Sequence, residues 1–187
     1  MKPKKPLFIE IYKNAPRFTE YMNKQVWYEK NPNLPLFMVI RDPYSRFWSG
    51  CKELFSHPLP DGTPRGETDP KKLIEKGIRE IKAEMPNFHF WRQITCRNKI
   101  PLPLDYIFLI DKLNAELRPK CVQYNIKFHK WFNWNKVPTD INPSDHTNDA
   151  EAIKIIKKSK IINTYYQEDI DWYNHIINTQ YEKYKNI

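Results

Sequence analysis

The chain has 187 residues, 40% of them hydrophobic and 14% aromatic, enough apolar material for one domain with a sizeable core and too much for a disordered chain. Thirty-one Lys+Arg against 22 Asp+Glu give a formal charge of +9, which points to anionic partners such as nucleotides, nucleic acid or acidic glycans. Three cysteines without C-x-x-C spacing indicate neither a disulfide framework nor a zinc site, four glycines exclude a glycine-rich repeat, and no apolar run reaches the length of a membrane span.

The first predicted strand is Leu7 to Tyr12, and a second runs from Leu36 to Ile40. Both are short apolar runs of the kind buried in parallel sheets. Between them Phe18 to Glu29 reads as a helix, which makes a right-handed βαβ unit. Pro43 opens the next helix, which continues to about Phe55, and residues 56–69 read as a surface loop. Asp69-Pro70 starts another helix that puts Leu73, Ile74, Ile78 and Ile81 on one face. Asp105 to Ile110 is a third strand, Leu113 to Tyr124 a helix interrupted by Pro119, and residues 126–148 are irregular. A long helix from Asp149 to Ile177 completes the pattern. Strands alternating with helices and no linker predict a single α/β domain over residues 1–187 with a small, mainly parallel sheet.

Ligands of such sheets bind beyond the carboxyl ends of the strands. Two strand ends carry suitable residues. After the first strand, Lys13-Asn14-Ala15-Pro16-Arg17-Phe18-Thr19 offers a lysine followed by a helix N-terminus, a pairing that holds phosphate but also occurs in ordinary loops. After the second, Arg41 stands eight positions (49 − 41) before Ser49, so a guanidinium and a hydroxyl two helical turns on can converge on one phosphate. Arg46 reads as a solvated helix residue and Asp42 as a helix cap.

The stretch Phe37-Met38-Val39-Ile40-Arg41-Asp42-Pro43-Tyr44-Ser45-Arg46-Phe47-Trp48-Ser49-Gly50 resembles the 3′-phosphate motif of sulfotransferases that use PAPS (3′-phosphoadenosine 5′-phosphosulfate), V-x-R-[DN]-P-[FY]-x-R-[FL]-x-S-[AG]. Other segments resemble the carbohydrate sulfotransferase branch in the same order. Leu7 to Ala15 is similar to the first strand and 5′-phosphosulfate loop, Asn87 to Gln93 to D-x-H-[FW]-x-P-Q, Asp105 to Leu113 to Y-D-F-I-G-K-F-E-x-L, and Tyr165 to Tyr173 to Y-x-x-D-[FI]-x-x-[FW]-x-Y. The resemblance implies a P-loop-like three-layer fold. It implies a sulfotransferase that moves a sulfuryl group from PAPS to a small-molecule or carbohydrate hydroxyl, releases PAP and uses no metal.

In that reading Arg41 and Ser49 hold the 3′-phosphate, while Lys13, Asn14, Ala15, Arg17 and Thr19 form the 5′ loop. Lys13 neutralises the leaving phosphate oxygen and His89 is the general base, with His57, Glu20 and Glu53 as alternatives, while His146 in Asp145-His146-Thr147-Asn148 resembles an H-x-N segment and covers the donor. The 5′ loop departs from the family pattern, with Pro16, Arg17 and Phe18 where a small residue, Thr and Ser are usual, so a non-catalytic PAP-binding relative is the alternative. A basic nucleic-acid-binding protein is a further reading that no nucleic-acid motif supports. The expected setting is the cytoplasm, without membrane association.

Overall fold

The computed structural model describes residues 7–9, 16–56, 66–98, 103–137 and 149–181. The chain divides into two compact units, each made of two segments: Met1–Arg41 with Ile100–Pro143, and Asp42–Lys99 with Ser144–Ile187. The architecture is α/β, mostly helical, with a small parallel sheet flanked by helices.

The first unit carries the sheet. Its strands are β1 (Phe8–Ile9), β2 (Phe37–Ile40) and β3 (Tyr106–Leu109), parallel and in the order 1-2-3. Phe8 pairs with Phe37, and Phe37 with Tyr106, so alternate residues of all three strands share a face. On that face Phe8, Phe37, Val39, Tyr106 and Phe108 pack against Phe18 and Met22 of helix α1 (Pro16–Gln25) and against Leu113, Leu117 and Cys121 of α5 (Leu113–Gln123). Met38 and Ile40, which alternate with them, are also fully buried, and this gives β2 the continuous apolar run Phe-Met-Val-Ile. The edge strand β1 is tied to α1 by Asn23, whose Oδ1 accepts from the Phe8 N–H at 2.7 Å and whose Nδ2 donates to the Phe8 carbonyl at 2.9 Å. One amide thereby satisfies both backbone groups of an edge residue.

The second unit is helical: α2 (Pro43–Phe55), α3 (Pro70–Lys82), the short α4 (Gln93–Asn98), α6 (Asp149–Lys158) and α7 (Lys160–Ile176). Phe47 and Cys51 of α2 meet Leu73 and Ile74 of α3, Ile156 of α6, and Ile162 and Tyr166 of α7 in one core. Gly77 lets α3 approach α2, since a Cβ there would lie 2.4 Å from the Cys51 sulfur and 2.7 Å from Phe47 Cζ.

Several expected boundaries move. The first helix ends at Gln25 and a 3₁₀ turn follows at Tyr28–Lys30. Pro119 does not interrupt α5, which runs through it. The long C-terminal helix is two helices, because Ser159 takes an extended conformation and its hydroxyl accepts from the Ile162 N–H, capping α7. Helix α4 and the 3₁₀ turn Phe88–Phe90 carry no periodic signal and were not expected as elements.

Candidate functional site

Helix α2 begins as its first residues dictate. Asp42 Oδ1 accepts from the Ser45 N–H at 2.8 Å, and Pro43 sits in the first turn, where its missing N–H costs nothing. Three residues further in, Arg46 is fully buried, which corrects the expectation of a solvated side chain. Ser49, one turn beyond on the same face, is buried too. Gly50 has no room for a side chain: a Cβ there would meet Phe90 Cε1 at 3.1 Å and the His89 carbonyl at 3.2 Å. The backbone of the Phe88–Phe90 turn therefore lies directly on α2 at Gly50.

That turn and the start of α4 after it are held at three points within the unit. Asn87 Oδ1 accepts from the His89 N–H at 3.1 Å. The buried Tyr166 hydroxyl donates to the Phe90 carbonyl at 2.7 Å. Asp169, fully buried one turn along α7, accepts from the backbone N–H groups of Gln93 and Ile94, each at 2.8 Å, one through each carboxylate oxygen. Asp169 thus caps α4 from a position 76 residues away in the chain. Burial pushes its carboxyl up, while the two backbone bonds and the charges of Arg46 and Arg92 pull it back down. Arg92 itself pairs with Glu168 at 3.0 Å.

Three of the segments singled out in the sequence, at Asp42–Gly50, Asn87–Gln93 and Tyr165–Tyr173, therefore meet in one unit. Their shared centre is Phe47, 5.4 Å from the Phe90 ring and 6.2 Å from the Tyr166 ring. A second polar cluster joins α2 to the start of α6, where Asp149 Oδ1 accepts from the Trp48 indole N–H and pairs with Lys52 Nζ at 2.8 Å. Trp48 is buried in this contact, whereas Trp91 and Trp131 are exposed.

The predicted site residues fall as follows. Arg41, half-buried, is the residue directly after β2 in the first unit, and Ser49 belongs to the second unit. Arg17 is exposed on α1, but Thr19, two residues on, is 0% exposed and its hydroxyl belongs to the interior. His89 is 7% exposed, stacked on Phe88 with ring centres 4.6 Å apart. Glu20 is exposed and pairs with Lys24 one helical turn away. Lys13, Asn14, Ala15, His57 and His146 lie outside the described residues. No family model, curated protein or solved structure matches the chain.

Asp169 and Asp149 escaped the sequence reading as site-shaping groups. Asp169 was visible only as part of a C-terminal pattern, and nothing in that pattern says which backbone it caps.

Proposed function

We propose that the chain is a PAPS-dependent sulfotransferase whose 3′-phosphate ligands are Arg41 and Ser49. One observation carries the reading: the motif-like stretch from Phe37 to Gly50 forms a buried parallel strand followed at once by a helix with an Asp42 cap and Pro43 in its first turn. A strand end leading into a helix N-terminus is where phosphate is held in α/β proteins, through backbone N–H groups and the helix dipole.

The chemistry follows from that placement. An acceptor hydroxyl, on a small molecule or a carbohydrate, attacks sulfur in line with the 5′-phosphate. The new O–S bond forms as the S–O bond to phosphate breaks, leaving PAP. Lys13 neutralises the charge gathering on the leaving oxygen, and His89 takes the acceptor proton. The donor is PAPS, the product PAP, and the setting the cytoplasm.

The test of donor binding compares PAP with AMP, which differs only in lacking the 3′-phosphate. At a hundredfold excess over Kd, PAP stabilises by about 2.7 kcal/mol, a rise in Tm of roughly 5–10 °C for a chain of this size. Equal stabilisation by AMP refutes the assignment of Arg41 and Ser49.

A second reading, a PAP-binding relative without turnover, is favoured by the sequence Pro16-Arg17-Phe18 and by the burial of Thr19, which withdraws a hydroxyl from the 5′ loop. Transfer of label from PAPS to a panel of hydroxyl acceptors separates the two readings.

A further inference from the structure

Residues 125–137 of the first unit carry three lysines, a histidine and four aromatic rings and no acidic residue. The stretch runs antiparallel to the chain that leaves α1. The Trp27 N–H donates to the Lys127 carbonyl at 3.0 Å and the His129 N–H to the Gln25 carbonyl at 2.9 Å, on either side of a bridge between Val26 and Phe128. Asn31 pins the same place by donating to the Trp27 and Lys127 carbonyls at 2.7 and 2.8 Å. Extended backbone sends alternate side chains to opposite faces. Val26, Ile126 and Phe128 therefore join the core with Phe132 and Trp134, while Trp27, Lys127 and His129 take the other face.

On that face three rings stack. Trp27 and His129 lie 5.8 Å apart at 22°, and His129 and Trp131 lie 4.3 Å apart at 8°. Trp131 is 64% exposed, although tryptophan is on average a well-buried side chain. The imidazole beside it fixes its plane, so it offers an oriented aromatic face. Lys127 and Lys130, both exposed, flank His129 in the chain, and neither enters an ion pair among the described residues. Lys127 Nζ bonds to the Asn125 side chain, a neutral amide that leaves its charge uncompensated. Lys30 Nζ lies 3.8 Å from the Trp27 ring centre, and Glu29 is the one carboxylate of residues 25–31.

We propose that this face binds single-stranded nucleic acid, with a base stacked on Trp131 and phosphates held by Lys127 and Lys130. Aromatic side chains beside cations that track the backbone hold single strands with little sequence preference. A planar base parallel to Trp131 extends the stack already present, and the two lysines call for an anion that a neutral sugar lacks. The face is an open surface, on which a strand places phosphates to both sides of the stacked base and a lone nucleotide does not. The platform joins position 27 to positions 129–131, so no contiguous motif announces it in the sequence. The proposal is independent of the PAPS reading, which concerns Arg41 and Ser49.

The anisotropy of a fluorescein-labelled adenylate octamer, titrated with the full-length chain in a saturating excess of PAP, tests it. An abasic octamer, AMP and a sulfated oligosaccharide of matched charge serve as competitors, and each should bind at least about tenfold more weakly than the adenylate octamer. Trp131→Ala should weaken octamer binding about tenfold, or about 1.4 kcal/mol, within the range of one stacked base, with Tm unchanged; Trp131→Phe should recover most of the loss. The double variant Lys127→Gln, Lys130→Gln should reduce the slope of log K against log salt by about 1.4, at about 0.7 for each phosphate contact of a single strand. Equal affinity for the abasic octamer reduces the face to a charge contact, equal affinity for AMP makes it a mononucleotide site, and tighter binding of the oligosaccharide makes it a glycan surface. Each of these overturns the proposal, as does an affinity untouched by Trp131→Ala or an octamer that fails to bind up to about 100 μM chain.

Discussion

Replacing Asp169 with Asn tests whether the second unit depends on a carboxylate rather than on the shape of the side chain. Each oxygen of Asp169 accepts one backbone N–H, from Gln93 and from Ile94. Asn has one acceptor oxygen and presents an NH₂ group to the other N–H, so a buried donor is left without an acceptor at a cost of about 1–3 kcal/mol. The change also withdraws a negative charge that interacts with the buried Arg46. Relief of the carboxylate's desolvation, the largest influence on its titration, outweighs the lost charge interaction, so the net loss at pH 7 is that of the unsatisfied donor, about 1–3 kcal/mol. Equilibrium denaturation in urea measures the loss, and hydrogen exchange at the Gln93 and Ile94 amides localises it.

The pH dependence has a definite sign. Asp169 titrates above its ordinary 3.8 in the folded chain, so between that value and the folded one the native state holds more protons than the unfolded state. Its contribution to stability is therefore largest below pH 3.8 and is lost as pH rises through the folded value, and the gap between wild type and Asp169→Asn should widen on acidification. A loss below about 1 kcal/mol with unchanged amide protection would refute the capping role.

Gly77→Ala should destabilise by about 1–2 kcal/mol in the same urea assay, because overpacking against Cys51 and Phe47 outweighs the helix-propensity gain of about 1 kcal/mol. Burial pushes the Cys121 thiol up to about 12 and the Cys51 thiol well above its usual range, so at pH 8 an alkylating reagent should label the half-buried Cys96 first in the native protein, as mass spectrometry of the labelled chain would show. His89→Gln should lower kcat on the order of a hundredfold with PAP affinity retained if the imidazole is the base; lower stability with turnover per folded molecule preserved would assign it to packing alone.

The elements legible in the sequence are those with a local start signal. Asp42-Pro43 and Asp69-Pro70 each place a capping carboxylate before a proline, and α2 and α3 begin where these pairs stand. The strands were legible as apolar runs because β2 is buried along its whole length. The break at Ser159 was not, since Lys158, Ser159 and Lys160 continue a polar helical face and one serine reads as either a surface residue or a cap. Arg46 was misplaced for a related reason: at helical spacing an arginine reads as solvated, and what surrounds it comes from Asp169 and Tyr166, more than a hundred positions later in the chain. The candidate site was legible as a set of segments in order. The contacts that bind three of those segments together in the second unit could not be read from local sequence, because each of them joins distant positions.

The chain passes from one compact unit to the other three times, after Arg41, after Lys99 and after Pro143. Neither unit is a contiguous stretch that can be excised and expressed by itself. On the ribosome, the nascent chain emerges with α1, β1 and β2 long before β3 and α5, and with α2 and α3 long before α6 and α7. Neither core can close until the second segment of its unit has left the exit tunnel. A stop codon near residue 140 would leave the helical core of the second unit without Ile156, Ile162 and Tyr166, while the first unit would keep β1, β2, β3, α1 and α5.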